Sequence, residues 1–319
     1  MAHRFRSPLR FALAACALAA LPACRTASAR ADDPPAARKV LTIRGLGFPE
    51  SVRYDPEQDV YFISNMAGPG SLHDGHGYIL RAAASDPRRM DVLVQGGRNG
   101  AELHAPKGMA LKGDTLWVAD IDVLRGFHRR TGAPLGAVDF RQHAVLLNDV
   151  AVGPDGSLHV TDTGIKMTRK GVLYPGGDRV FAVGPGGAVR TVAEGRQLGR
   201  PNGITWDPDG KRWIVVSFDP FRSEVYALRP GRAERTVLGR GPGRFDGVER
   251  LADGRILVTS WSDSSLHVFE GGRSERVVRG LWQPADLGVD TRRGLVAIPL
   301  VLQGRVEIWR LPPTRRGGG

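Results

Sequence analysis

One pattern recurs six times along the chain and leaves little freedom in how it can fold. Segments 48–65, 105–120, 147–162, 200–217, 245–261 and 283–299 each read as an alternating apolar strand, a tight turn of the DPDG type and a second strand. Such turns suit hairpins, because Asp bonds its own backbone and Gly accepts positive φ. Two weaker strands follow each pair, most clearly 180–183 and 189–192, joined by Gly184-Pro185-Gly186-Gly187. The equivalent positions Glu50, Lys107, Asn148, Asn202, Asp246 and Ala285 are 39 to 57 residues apart. A four-stranded propeller blade repeats every ~40–50 residues. The pattern therefore predicts an all-β, six-bladed β-propeller. A β-sandwich has no reason to carry six in-register repeats.

The last unit is short. It offers strands near 295–298 and 305–311, then runs into Pro312-Pro313 and a glycine tail. Its missing outer strand is supplied from the other end of the chain by 39–44, which closes the ring and removes an exposed edge. The expected organisation is a signal segment at 1–23, a linker at 24–37, the propeller at 38–311 and a tail at 312–319.

The signal segment is read from Arg4, Arg6 and Arg10, followed by an apolar run from Phe11 to Ala23. That run is too short to span a bilayer. Leu21-Pro22-Ala23-Cys24 resembles a lipobox with Cys24 as the lipidated residue, although Pro22 fits its position poorly. Cleavage after Ala29, at Ala27-Ser28-Ala29, is the alternative. Either way the expected location is outside the cytoplasm, in the periplasm or on a lipid anchor. The two cysteines, Cys16 and Cys24, lie in or beside this segment, so the propeller has neither disulfide nor thiol chemistry. The formal net charge of +12 comes from scattered arginines, which describes a basic surface or one drawn to anionic headgroups. No basic helix or aromatic-basic motif points to nucleic acid. A small-molecule substrate, membrane contact only through the anchor, and a monomer are expected.

In a propeller the first strand of each blade lines the central channel, so residues from Glu50 to Ala285 converge in one ring. Four of the six are oxygen donors: Glu50, Asn148, Asn202 and Asp246. Asn and Asp often only cap strands. Four at one repeat position instead suggest a hard divalent cation, calcium before magnesium, with positions left for water and substrate. Zinc fits less well, because the ring lacks His and Cys.

The segments PES at 49–51, LND at 147–149, PNGITWDPDG at 201–210 and FDG at 245–247 resemble the senescence marker protein/gluconolactonase-like family. Its wider superfamily includes paraoxonases and diisopropyl fluorophosphatase. The resemblance covers nearly the whole chain after the signal segment. It implies a six-bladed propeller, one catalytic calcium on Glu50, Asn148, Asn202 and Asp246, and hydrolysis of lactones, esters or organophosphates. It also implies Asp246 as a nucleophile. Two positions depart from the pattern. Leu146 stands where the sugar-lactonase branch carries Arg, which argues against a sugar lactone. Lys107 stands where paraoxonases carry His, so a His dyad has no counterpart there.

Further candidates surround the ring. Asp286, beside the ring position of the last blade, is a second catalytic candidate or a strand cap. Asp149 is expected to point away, because strand side chains alternate. Lys107 would meet an anionic group or pair with a carboxylate. Two long connections, 66–77 and 163–178, should overhang the ring on its open face. The first brings His73 and His76, the second Lys166, Arg169 and Lys170. Trp261 and Trp282 read as pocket walls or core. Asp120 and Asp162 recur after second strands and read as structural links between blades.

The functional expectation is an exported calcium-dependent hydrolase of lactones or esters, with phosphotriesters within its range. The alternative is a propeller that binds a ligand or protein without catalysis. A dehydrogenase-like propeller has no legible cofactor motif.

Overall fold

The computed structural model describes residues 36–313, except 69–71, 169, 222 and 233. The expected signal segment, Cys24, the cleavage site at Ala29 and Arg169 lie outside the described residues.

Six four-stranded sheets form the blades of a β-propeller. The inner strands are Pro49–Asp55, Pro106–Lys112, Leu147–Val152, Pro201–Asp207, Phe245–Arg250 and the short Gly288–Asp290. Within each blade the strands are antiparallel, and in the first five blades they follow chain order outward. The sixth blade closes as expected. Arg38–Arg44 pairs antiparallel with Arg305–Arg310, Arg38 opposite Arg310 and Arg44 opposite Arg305. The first and last inner strands also join: Asp286 N donates to Glu50 O at 2.9 Å and Val52 N to Asp286 O at 3.3 Å.

The apolar face of each strand is buried against the next blade. Met109, Leu116 and Val118 of the second blade pack with Phe62 and Ile79 of the first. Ile43, Val306 and Ile308 of the sixth pack with Val52, Tyr61 and Ile63 of the first. Ile43 thus links the closing strand to the core. Deleting 38–44 would strip that cover and leave Arg305–Arg310 as an open edge. The expected result is aggregated or unfolded protein, read by size exclusion and circular dichroism. A folded monomer would show that closure does not depend on this strand.

Asp120 and Asp162 are structural, but within their own blades rather than between neighbours. Asp120 accepts the amides of His104 and Ala105 at 2.8–3.1 Å, and Arg125 Nε at 2.6 Å. Asp162 accepts those of Val145, Leu146 and Gly164. Each anchors the segment that leads into its inner strand. Links between blades come instead from turn aspartates at the opposite end, such as Asp55 with Arg129 at 3.2 Å.

The connections 66–77 and 163–178 both follow second strands and lie on the face where inner strands begin. The second carries a small hairpin, Lys166–Thr168 with Gly171–Leu173.

Candidate metal centre

The inner strands do not alternate simply where they enter the channel. In five blades the register with the second strand shifts between the first and fourth residues: Pro49/Val52, Pro106/Met109, Leu147/Val150, Pro201/Ile204 and Phe245/Val248. Hydroxyls fill the broken ladder. Ser51 N donates to Ser64 Oγ at 2.9 Å, Asp149 N to Thr161 Oγ1 at 3.0 Å and Gly247 N to Thr259 Oγ1 at 2.8 Å. Such a bulge re-aims side chains. Two consecutive positions of each strand now face the axis, in two layers.

The upper layer holds the expected ring. Glu50, Lys107, Asn148, Asn202 and Asp246 are each between 3% and 6% exposed, and Ala285 completes it. One oxygen of each proposed ligand, Glu50 Oε2, Asn148 Oδ1, Asn202 Oδ1 and Asp246 Oδ1, is buried without a hydrogen-bond partner. Buried polar atoms are ordinarily satisfied. Four orphaned oxygens at equivalent positions of one ring fit a bound hard cation. Among the described residues, no three of His, Cys, Asp or Glu are grouped to hold a metal. A cation there would depend on the two carboxamides as well, a donor set that suits calcium better than zinc.

Burial pushes the Glu50 carboxyl above its ordinary range, against the opposing pull of Lys107. Asp246 is raised further, by burial first and then by the negative charge of Glu50. A cation would relieve both. In its absence the folded chain holds protons on these groups at a pH where the unfolded chain has released them. Stability of the calcium-free protein is then expected to rise as pH falls from the alkaline side towards the ordinary carboxylate range. The stabilisation added by calcium is expected to be largest at the alkaline end. Melting curves with and without calcium across that range check this; a calcium effect independent of pH would contradict it.

The lower layer corrects one expectation. Asp149 does not turn away; the bulge brings it into the channel, 1% exposed, where its Oδ2 accepts Ile204 N of the next blade at 2.8 Å. Burial pushes its carboxyl up to about 7 despite Arg53. Asp286 lies in this layer, not in the ring. Its Oδ2 accepts Ser51 Oγ at 2.5 Å, its Oδ1 is unpartnered, and burial raises its pKa. Adjacent strands come so close here that side chains are excluded. A Cβ on Gly108 would stand 2.2 Å from Asp149 Oδ1, and one on Gly203 2.6 Å from Asp246 O.

Below these layers Arg53 spans the channel. Its Nε donates to Met109 O at 2.7 Å, its Nη1 pairs with Glu249, and its Nη2 is 4.0 Å from Asp286 Oδ2. Sequence reading missed Arg53 and Glu249, although both occupy the fifth position of their inner strands.

Above the ring sits a collar that was also missed. Met66, Ile121, Ile165, Phe218, Trp261 and Val301 form one apolar cluster, with Phe48, Ala105, Leu146 and Ala285 from the starts of inner strands. Most follow directly on a second strand, a recurring apolar position that the repeat already displayed. Trp261 packs edge-on against Phe218, and its buried indole N–H lies by Asp246, where it favours the charged carboxylate. This tryptophan is partly buried against that cluster. Leu146, in place of an arginine, belongs to the same apolar wall.

His73 lies elsewhere. It is half exposed, with Nε2 3.0 Å from Asp122 Oδ1 and its ring against His104. His76 is exposed beside Asp74. Neither contacts the ring among the described residues. Trp282 is also exposed, at the rim rather than in the wall.

A family model for the SMP-30/gluconolactonase/LRE-like region matches residues 48–280. The chain belongs to this SMP-30/gluconolactonase/LRE-like family. The match runs from the start of the first inner strand to the end of the fifth blade and includes all four oxygen donors. Solved structures agree on the fold. A gluconolactonase of Xanthomonas campestris is 17% identical, with 88% of this chain and 96% of that one covered and a TM-score of 0.66. A calcium-binding regucalcin of Agrobacterium tumefaciens is 17% identical, with 85% and 94% covered and a TM-score of 0.60. A chain of a nidogen/laminin complex is 19% identical, with 71% and 78% covered and a TM-score of 0.55. No curated protein matches the sequence. Within the SMP-30/gluconolactonase/LRE-like family, hydrolase activity of the lactonase kind is the suggested function.

Proposed function

We propose that this chain is an exported, calcium-dependent hydrolase of lactones or carboxylic esters, working at Glu50, Asn148, Asn202 and Asp246. The observation that carries this reading is the set of four buried, unpartnered oxygens at one ring position. A divalent ion held there would polarise a carbonyl oxygen. Asp246 is the ring carboxylate available as nucleophile or base, and Asp286 is a further carboxylate in the layer below the ring. The collar from Met66 to Val301 excludes water and offers contact to an apolar acyl or alkyl group. It supplies little to hydrogen-bond the hydroxyls of a sugar lactone, which agrees with Leu146. Export is supported by the basic, apolar and small-residue order of 1–29, with Cys24 lipidation or cleavage after Ala29 as its two forms.

Purified protein should hydrolyse lactones or aryl esters, lose activity with a chelator and regain it with calcium. Bound calcium without turnover of lactones, aryl esters or phosphotriesters would instead leave a metal-stabilised binding propeller.

A further inference from the structure

One ring position carries a cation of its own. Lys107 is 3% exposed, and its Nζ lies 3.6 Å from Glu50 Oε1 and 3.1 Å from Met66 Sδ. An ammonium has three donors, and a thioether is a weak acceptor. The group is thus buried between the two ring carboxylates, Glu50 and Asp246, both of which the cation site proposed above would also claim.

Charge at the ring follows directly. Asn148, Asn202 and Ala285 are neutral, so with Glu50 and Asp246 ionised, as a bound cation would hold them, the side chains of the ring carry one net negative charge. A divalent ion turns this into one net positive charge, close to an ammonium whose counter-charge is now shared. A buried centre of that kind calls for an anion. Arg53 and its carboxylates lie on the far side of the ring from the open face, so the ring is the first charge a ligand meets.

We propose that Lys107 and the ring cation together form an anion subsite, and that the substrate carries a carboxylate close to its scissile ester or lactone carbonyl. The apolar collar selects a carboxylate on an aromatic or aliphatic body. Lys107 also weakens cation binding, because two positive centres share Glu50.

Titrations that do not require turnover test this. Calcium affinity is measured for the wild type, Lys107→Met and Lys107→Arg. The Met variant should bind calcium about tenfold more tightly, since one like charge a few ångströms away is removed; the Arg variant should stay near wild type. Benzoate and neutral benzamide are then titrated into each protein with and without calcium. Benzoate should bind the calcium-loaded wild type and Arg variant, and lose at least about tenfold with the Met variant or without calcium; benzamide should not show this dependence. Unchanged calcium affinity in the Met variant, or benzoate binding indifferent to Lys107, overturns the proposal. Preference for inorganic phosphate over benzoate overturns the carboxylate assignment. If the Met variant does not fold, the wild-type comparison decides: equal binding of benzoate and benzamide, or no effect of calcium, sinks it. Absence of calcium binding in the wild type also overturns it, and the calcium titration identifies that failure as one of the cation site. Absence of hydrolysis leaves these readouts intact, so the reaction and the subsite fail separately.

Discussion

Asp246→Asn is expected to abolish calcium-dependent activity while making the calcium-free protein more stable. Both effects have one cause. Asp246 is 3% exposed, faces the charge of Glu50, and carries an orphaned oxygen. A buried carboxylate without a cation destabilises the fold at neutral pH. Asn keeps the shape and an oxygen but removes the charge, so the calcium-free variant should melt higher than calcium-free wild type. With calcium the order reverses. The wild type gains stability as RT ln(1 + [L]/Kd), about 2.7 kcal/mol at a hundredfold excess over Kd, and the variant gains little. Loss of a ligand should exceed the ~10–100-fold penalty that changes around a metal's ligands bring. Glu50→Gln should lose calcium binding likewise, but it takes the 3.6 Å carboxylate from buried Lys107, so its calcium-free form should gain no stability. Melting curves with and without calcium, beside kcat/KM, separate these outcomes. A variant that retains full calcium stabilisation would remove Asp246 from the centre.

Arg53→Met is expected to be the most destabilising single change in the channel. The guanidinium joins the first blade to Met109 O of the second, Glu249 of the fifth and Asp286 of the sixth. It also lines a cavity of about 520 Å³ shared by the first, fifth and sixth blades. Without it, Glu249, Asp286 and Asp149 are left together with no cation. Breaking a buried pair from one side costs about 3–5 kcal/mol. Urea unfolding should show a loss of that size. Removing both partners, as Arg53→Met with Glu249→Leu, should recover part of it, because no uncompensated charge remains at that pair. A single variant as stable as wild type would mean that water entering from the cavity already screens these charges.

Much of the architecture was legible because a propeller repeats one local rule six times. The turn at Asp207-Pro208-Asp209-Gly210 and the alternating strands around it predict a hairpin wherever they recur, and the closing strand follows from an incomplete last unit. The ring was legible for the same reason: Glu50, Asn148, Asn202 and Asp246 share one repeat position. What alternation could not show was the bulge. It depends on Ser64, Thr161 and Thr259 replacing ladder carbonyls from the neighbouring strand, a tertiary arrangement that no period-two pattern contains. Asp149 was misread on that account. His73 looked suited to chemistry by residue type alone, whereas its partner Asp122 lies on a different blade. Of the collar only Trp261 stood out as a wall candidate, because Met66, Ile121 and Phe218 read as ordinary apolar residues one at a time. Only their shared place after a second strand assigns them to the mouth of the channel.

The central claim is that the four orphaned oxygens hold one divalent cation. The most direct measurement is the number of calcium ions bound per chain at equilibrium, for wild type and Asp246→Asn, on protein shown to be folded. One ion in the wild type and none in the variant at the same free calcium is the expected result. No bound ion in the wild type, or one retained undiminished by the variant, would contradict it.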